Sequence, residues 1–148
     1  MDLILWRHAE AVDGTPDHAR ELSTKGSKQA GKIGAFLQQH LPDDHRILVS
    51  PSTRTQQTVA ALTDNFTLAP TIAPGATAQA VLQAARWPDA GGTVLVVGHQ
   101  PTLGEVAAQL LGCEGHSLSI KKGALWWFSQ REGADQVTLR LVITPDFL

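Results

Sequence analysis

Four apolar residues, Leu3-Ile4-Leu5-Trp6, run without interruption into Arg7-His8. A short unbroken apolar run bounded by a polar turn is the pattern of a strand buried on both faces, as a parallel sheet uses. Such a strand needs helices above and below it, so the run points to a layered α/β architecture. The Arg-His pair then falls at the strand's carboxyl end, the edge where open α/β sheets bind ligands. An arginine offers a planar fork of donors suited to phosphate. A histidine beside it can act as acid, base or nucleophile near neutral pH.

The rest of the chain alternates in the same way. A polar loop over Glu10 to Glu21 leads to Ser23 or Thr24 as the N-cap of a helix whose apolar residues Ala30, Ile33, Leu37 and Leu41 keep helical spacing, stopped by Pro42. Arg46 to Val49 reads as a second strand. Ser50 as N-cap and Pro51 at the first helical position predict a helix that carries Arg54 in its first turns and runs to about Asp64. Phe66 to Ile72 is a weaker strand candidate, and Ala76 to Arg86 an alanine-rich helix. Thr93 to Val97 is the clearest buried strand and ends in Gly98-His99-Gln100-Pro101. Thr102 opens a helix with Leu103, Val106, Ala107, Leu110 and Leu111 on one face. Two β-like runs, Ala124 to Phe128 and Val137 to Ile143, read as a hairpin. The expected fold is a single-domain α/β sandwich over residues 1–148, with a mostly parallel central sheet, helices on both faces and a C-terminal β-hairpin.

Composition narrows the function classes. At 148 residues and 43% hydrophobic, the chain is the size of one domain and can bury a sizeable core. A net charge of −2 with no long run of one sign gives no bulk attraction for nucleic acid or an anionic membrane. The apolar runs are too short to span a bilayer, and no secretory pattern precedes Arg7-His8. The single cysteine, Cys113, has no internal disulfide partner and no adjacent base or cation, so it reads as structural or incidental. A cytoplasmic setting is the expectation. No close-spaced ligand pair of the usual zinc kind is present, and His40, His45 and His116 read as surface residues.

Three strand ends carry chemistry suited to phosphate: Arg7-His8, Arg54 and Gly98-His99. In a parallel sheet the carboxyl ends share one edge, so these residues can converge across long sequence gaps. Four ordered blocks are similar to the histidine phosphatase superfamily and, within it, to the small SixA-like phosphohistidine phosphatases. They are Leu3-Ile4-Leu5-Trp6-Arg7-His8-Ala9-Glu10-Ala11, Leu22-Ser23-Thr24-Lys25-Gly26, Leu48-Val49-Ser50-Pro51-Ser52-Thr53-Arg54-Thr55-Gln56-Gln57-Thr58, and Val96-Val97-Gly98-His99-Gln100-Pro101. Ala9 stands where the family usually has glycine. The length leaves no room for the helical lid segments of larger relatives.

The resemblance implies that His8 is the nucleophile, forming a phosphohistidine intermediate, and that Arg7, Arg54 and His99 bind the phosphoryl oxygens together with it. For this His8 must present an unprotonated ring nitrogen while a backbone carbonyl holds the proton of the other. No metal and no cofactor are implied, because the cationic clamp supplies the positive charge. The expected substrate is a phosphohistidine-bearing protein, such as a phosphorelay or phosphotransfer domain, with phosphate ion as product. Two alternatives are a phosphomonoesterase acting on a small molecule by the same mechanism and a catalytically silent module that binds phosphorylated proteins. The proton donor stays open. The segment before the last catalytic strand, Ile72 to Thr77, has no carboxylate where many family members place one. Glu10, Asp17 and His18, in the loop beside His8, are candidates, and Asp17 forms an Asp-x-x-Arg pattern with Arg20 associated with SixA-like members. Glu105 fits a capping box with Thr102. Strand alternation puts one of Trp126 and Trp127 on the core face and the other outside, and Lys121-Lys122 reads as a solvated turn.

Overall fold

The computed structural model describes residues 1–148. Its strands are β1 (Asp2–Arg7), β2 (His45–Val49), β3 (Thr67–Leu68), β4 (Thr93–Gly98), β5 (Leu125–Ser129) and β6 (Thr138–Ile143). Its helices are α1 (Thr24–His40), α2 (Thr53–Ala60), α3 (Ala78–Ala85) and α4 (Thr102–Leu110). One six-stranded sheet runs in the order β3-β2-β4-β1-β5-β6. β3, β2, β4 and β1 are mutually parallel, while β5 and β6 are antiparallel additions beside β1. The α/β sandwich with a terminal hairpin is as the sequence predicts.

Strand alternation divides the core into two halves. Leu3, Leu5, Val94, Val96 and Phe128 face α3 and α4, where Val81, Leu82, Leu103 and Val106 cover them. Ile4, Trp6, Leu95, Val97 and Leu125 face α1 and α2, where Ile33, Leu37 and Val59 cover them. Every residue of β4 is buried, as expected of a central parallel strand covered on both sides. Each large aliphatic residue buried there contributes roughly 1.5–3 kcal/mol relative to exposure.

Some local expectations are corrected. The cap of α2 is Ser52, whose hydroxyl accepts from Thr55 N–H, and not Ser50; the helix ends at Ala60, short of Asp64. Ser50 N–H instead donates to Val97 C=O at 3.1 Å, prolonging the sheet ladder past β2. The stretch from Phe66 to Ile72 keeps only the two-residue β3 and a 3-10 turn at Pro70–Ile72. Thr102 and Glu105 form no capping box: the N-cap of α4 is Pro101, and the Thr102 hydroxyl donates to Ala76 C=O at 2.6 Å. The tryptophans of β5 do point to opposite faces as expected, Trp127 buried and Trp126 partly buried. Trp126 packs against the α3–α4 half of the core and Trp127 against the α1–α2 half, because helices flank the sheet on both sides. No helix is long and apolar enough to cross a membrane.

Candidate active site

Register brings the strand ends level. Trp6 pairs with Val97, which pairs with Val49, so Arg7, Gly98 and Ser50 lie in one row. His8 and His99 come next. His8 N–H donates to Gly98 C=O at 3.0 Å, which extends the ladder to the histidine itself. The two imidazoles stand side by side with ring centroids 5.3 Å apart. Both are buried, as is Arg54, while Arg7 is half-buried.

The ring of His8 is fixed by its neighbour's backbone. Nδ1 lies 2.7 Å from Ala9 C=O. A carbonyl can only accept, so Nδ1 carries the proton and Nε2 keeps its lone pair. Burial pushes the His8 pKa down to about 4, against the bond to Ala9, and the charges of Arg54, Arg7 and Arg20 push in the same direction as burial. The imidazole is therefore neutral at physiological pH.

His99 has the opposite tautomer. Nδ1 lies 3.4 Å from Arg54 Nη2, a pure donor, so Nδ1 accepts and Nε2 donates to Ser50 Oγ at 2.7 Å. Burial, then the neighbouring His8 and Arg54, push its pKa down to about 3. Ser50 is thus a positioning group, a role its reading as a helix cap missed. The available signal was that Ser50, like His99, directly follows a buried strand.

Hydroxyls hold α2 against the strand ends. Thr55 Oγ1 donates to Ser50 C=O at 2.6 Å. Thr58 Oγ1 donates to Arg54 C=O at 2.7 Å and accepts from Ala9 N–H at 3.0 Å, so one side chain joins the helix carrying Arg54 to the residue following His8. On the other flank, Arg7 Nη1 donates to Ile120 C=O at 2.7 Å, and Gly123 N–H donates to His8 C=O at 3.1 Å. Gly123 has φ +75°, in the region glycine favours, and this lets the turn after Ile120 pass close to His8. The Nε–H groups of Arg7 and Arg54 are buried and have no acceptor within the protein.

The three donor candidates separate. Asp17 meets the site: its C=O and Oδ2 accept from Arg54 Nη1 and Nη2 at 2.9 and 3.2 Å, and Oδ1 accepts from Arg20 Nε at 3.0 Å. The hydrogen bond from Arg20, joined by the charge and hydrogen bond of Arg54 and the charge of Arg20, outweighs the opposing effect of desolvation and holds its carboxyl below the usual carboxylate range. Glu10 turns aside, its Oε2 accepting from Ser23 Oγ at 2.8 Å. His18 is exposed on a 3-10 turn. His40, His45 and His116 are exposed, and so is Cys113. Glu105 lies apart, lining a cavity with Glu114 and His116.

Two imidazoles and two guanidinium groups gathered at the carboxyl edge of a parallel sheet define an α/β protein suited to holding a tetrahedral oxyanion against a histidine. Residues 3–77 match the family described as the histidine phosphatase superfamily (branch 1). The phosphohistidine phosphatase SixA homolog of Haemophilus influenzae is 36% identical over 128 residues, 76% of this chain and 78% of that protein. The phosphohistidine phosphatase SixA of Escherichia coli is 29% identical over 127 residues, 79% of this chain and 77% of its own. A solved structure of the protein histidine phosphatase SixA complexed with tungstate shares the fold, with a TM-score of 0.83 at 24% identity over 99% of each chain. The chain belongs to the histidine phosphatase superfamily of hydrolases and is SixA-like within it.

Proposed function

We propose that this chain is a phosphohistidine phosphatase that removes phosphate from a histidine of a protein through a covalent phospho-His8 intermediate. The observation that carries the reading is the lone pair on His8 Nε2, held there by the Nδ1–Ala9 bond, beside two arginines with buried donors that no protein atom accepts. The names of the Haemophilus and Escherichia relatives support the same substrate class.

In the first step His8 Nε2 attacks phosphorus, forming the Nε2–P bond as the P–N bond to the substrate imidazole breaks; a substrate ring already protonated by solvent on its other nitrogen departs as neutral imidazole. Water then attacks phosphorus, the Nε2–P bond breaks, and phosphate leaves with His8 neutral again. Arg7 and Arg54 neutralise the charge on the equatorial oxygens, the term on which phosphoryl transfer depends most. The positive charge comes from side chains, so the chemistry runs without a metal ion. An arriving phosphoryl dianion competes with Asp17 for Arg54 and raises the proton affinity of His99, which can then donate from both ring nitrogens.

The leaving group decides between a phosphohistidine and an alkyl phosphate. An alkoxide needs a positioned acid. Asp17, the carboxyl that reaches Arg54, is held ionised by Arg20 and Arg54 and is a poor acid at neutral pH. An imidazole leaving group is protonated near neutral pH with little help, since an ordinary histidine titrates around pH 6.5.

The test is a rapid-quench experiment with labelled phosphohistidine protein, run beside a panel of phosphomonoesters. An acid-labile, base-stable label on His8, together with a kcat/KM on phosphohistidine at least about a hundredfold above that on sugar phosphates or phosphoserine, is expected; His8→Ala should cost 10⁴-fold or about that. Comparable rates on alkyl phosphates, lost in Asp17→Asn or Glu10→Gln, would assign the small-molecule phosphomonoesterase instead. Binding without turnover would assign the silent module.

A further inference from the structure

A cavity of about 900 Å³ opens beside Arg7, and all five lysines of the chain line it: Lys25, Lys28 and Lys32 from α1, and Lys121 and Lys122 from the turn before β5. All five are exposed. This concentration occurs in a chain whose net charge is −2. We propose that the lysine-lined cleft is a docking surface for an acidic face of the phosphoprotein substrate, placed so that bound carboxylates flank the phosphohistidine delivered to His8. The proposal rests on the phosphohistidine-phosphatase reading above.

The fold gains little from this arrangement beyond the attraction of Lys32 for the exposed Asp146. None of the five lysines is ion-paired: the chain's salt bridges join Arg20 and Arg54 to Asp17, and Arg140 to Asp2. Lys25, Lys28 and Lys32 stand at i, i+3 and i+7 along one face of α1, where like charges repel. Lys25 also sits in the helix's first turn, where no acidic residue offsets it and the helix dipole disfavours a cation. Two carboxylates, Glu10 and Asp146, share the cavity, and Glu10 is engaged by Ser23. Unpaired charge kept at a cost to stability is explained by what it attracts.

Position ties the cleft to the chemistry. Glu10 N–H donates to Gln29 Oε1 at 2.9 Å, which fixes the lysine face of α1 two residues beyond His8. The bonds from Arg7 to Ile120 and from Gly123 to His8 fix the Lys121–Lys122 turn on the other side. Arg7 belongs both to the cleft wall and to the cluster around His8.

The occupant is a protein surface more readily than a small polyanion. Small-anion sites are built from fixed, largely buried donors. Here the donors are exposed ammonium groups on flexible stems, each a hydrated point charge. Such a field steers encounter and sets register with an extended acidic surface.

The test compares two synthetic phosphohistidine peptides of equal length, one flanked by four glutamates and one by four glutamines. The enzymes compared are the native chain, the triple variant Lys25→Gln/Lys28→Gln/Lys32→Gln and the double variant Lys121→Gln/Lys122→Gln. The native protein should turn over the glutamate peptide with a kcat/KM about tenfold higher, carried by KM and fading as salt rises toward about 0.5 M. Each variant should lose most of that preference while its kcat/KM on the glutamine peptide stays within about twofold. A native protein with no preference, or a preference that survives in both variants, overturns the proposal. A second arm does not depend on turnover of phosphohistidine: inhibition of p-nitrophenyl phosphate hydrolysis by the unphosphorylated peptides and by tripolyphosphate. Lysine-dependent inhibition by the glutamate peptide, with neither phosphohistidine peptide hydrolysed, would overturn the substrate reading and leave the docking surface standing. Lysine-dependent inhibition by tripolyphosphate alone would make the cleft a small-polyanion site and overturn the proposal.

Discussion

At the scale of single residues, two adjacent histidines are given different work by their hydrogen-bond partners. A carbonyl at Nδ1 leaves His8 with a lone pair at Nε2, and a guanidinium at Nδ1 makes His99 a donor at Nε2. Both are kept neutral chiefly by burial. Nitrogen-15 NMR of the free protein at pH 7 should show both rings neutral, with the proton of His8 on Nδ1 and that of His99 on Nε2. Lowering the pH to about 5 should leave the His8 signals in place, and saturating phosphate should raise the apparent pKa of both rings. A His8 ring that titrates near pH 6.5 in the free protein would show that its surroundings do not disfavour the charge. The convergence of Arg7, His8, Arg54 and His99 was legible from the sequence because each follows a strand end. The grip of Asp17 on Arg54 was not, because it depends on the course of the loop between Glu10 and Glu21, which tertiary contacts set.

At the scale of elements, close approach decides several positions. Gly26, in the first turns of α1, lies against the loop after His8: a Cβ there would collide with Glu10 C=O and come within 3.1 Å of its N. Gly31, on the same helix, has open space around it. Gly31→Ala should therefore stabilise the protein by about 0.5–1 kcal/mol through helix propensity. Gly26→Ala should destabilise it by about 1–3 kcal/mol through overpacking, and should also slow turnover by shifting the segment that carries His8. Urea denaturation of the two variants measures both; equal effects would mean that the helix is free to move away from Glu10. The helices were legible from spacing and stop signals, but their caps were less so. Ser50-Pro51-Ser52 offers two N-caps, and the first serine was taken by the sheet ladder. Thr102 to Glu105 has the letters of a capping box, yet the Thr102 hydroxyl found Ala76 instead. For the tryptophans, alternation gave the opposite faces correctly, with Trp127 buried and Trp126 partly buried, but not how far the outer face is covered.

At the scale of the whole molecule, the same burial that keeps the site neutral makes stability depend on pH. His8 and His99 bind protons less readily folded than unfolded, since their pKa values fall from about 6.5 to about 4 and about 3. From pH 6.5 down to about 4 for His8 and about 3 for His99 the unfolded chain holds more protons, so stability is full above this window and declines as pH falls through it. Asp2 acts lower down. Burial alone would raise its pKa, but hydrogen bonds from Trp127, Ser129 and Arg140 draw it below the usual value, so its contribution is lost only as pH falls below about 4. Urea midpoints should drop between pH 7 and 4.5, and the His8→Gln/His99→Gln double variant should flatten that slope. An unchanged slope in the variant would place the acid sensitivity elsewhere.

The position of β1 has a consequence for how the chain is made. It is the earliest strand in the sequence, yet its neighbours in the sheet are β4, which starts at Thr93, and β5, which starts at Leu125. Its apolar run Leu3 to Trp6, fully buried in the finished protein, has no partner until most of the molecule has left the ribosome. For that interval it is an uncovered β-prone segment, open to pairing with another chain. The long sequence separation of its contacts also makes its insertion slow. The edge that carries His8 is thus among the last parts of the molecule to close, and yield during synthesis depends on how long Leu3-Ile4-Leu5-Trp6 can be kept from other strands.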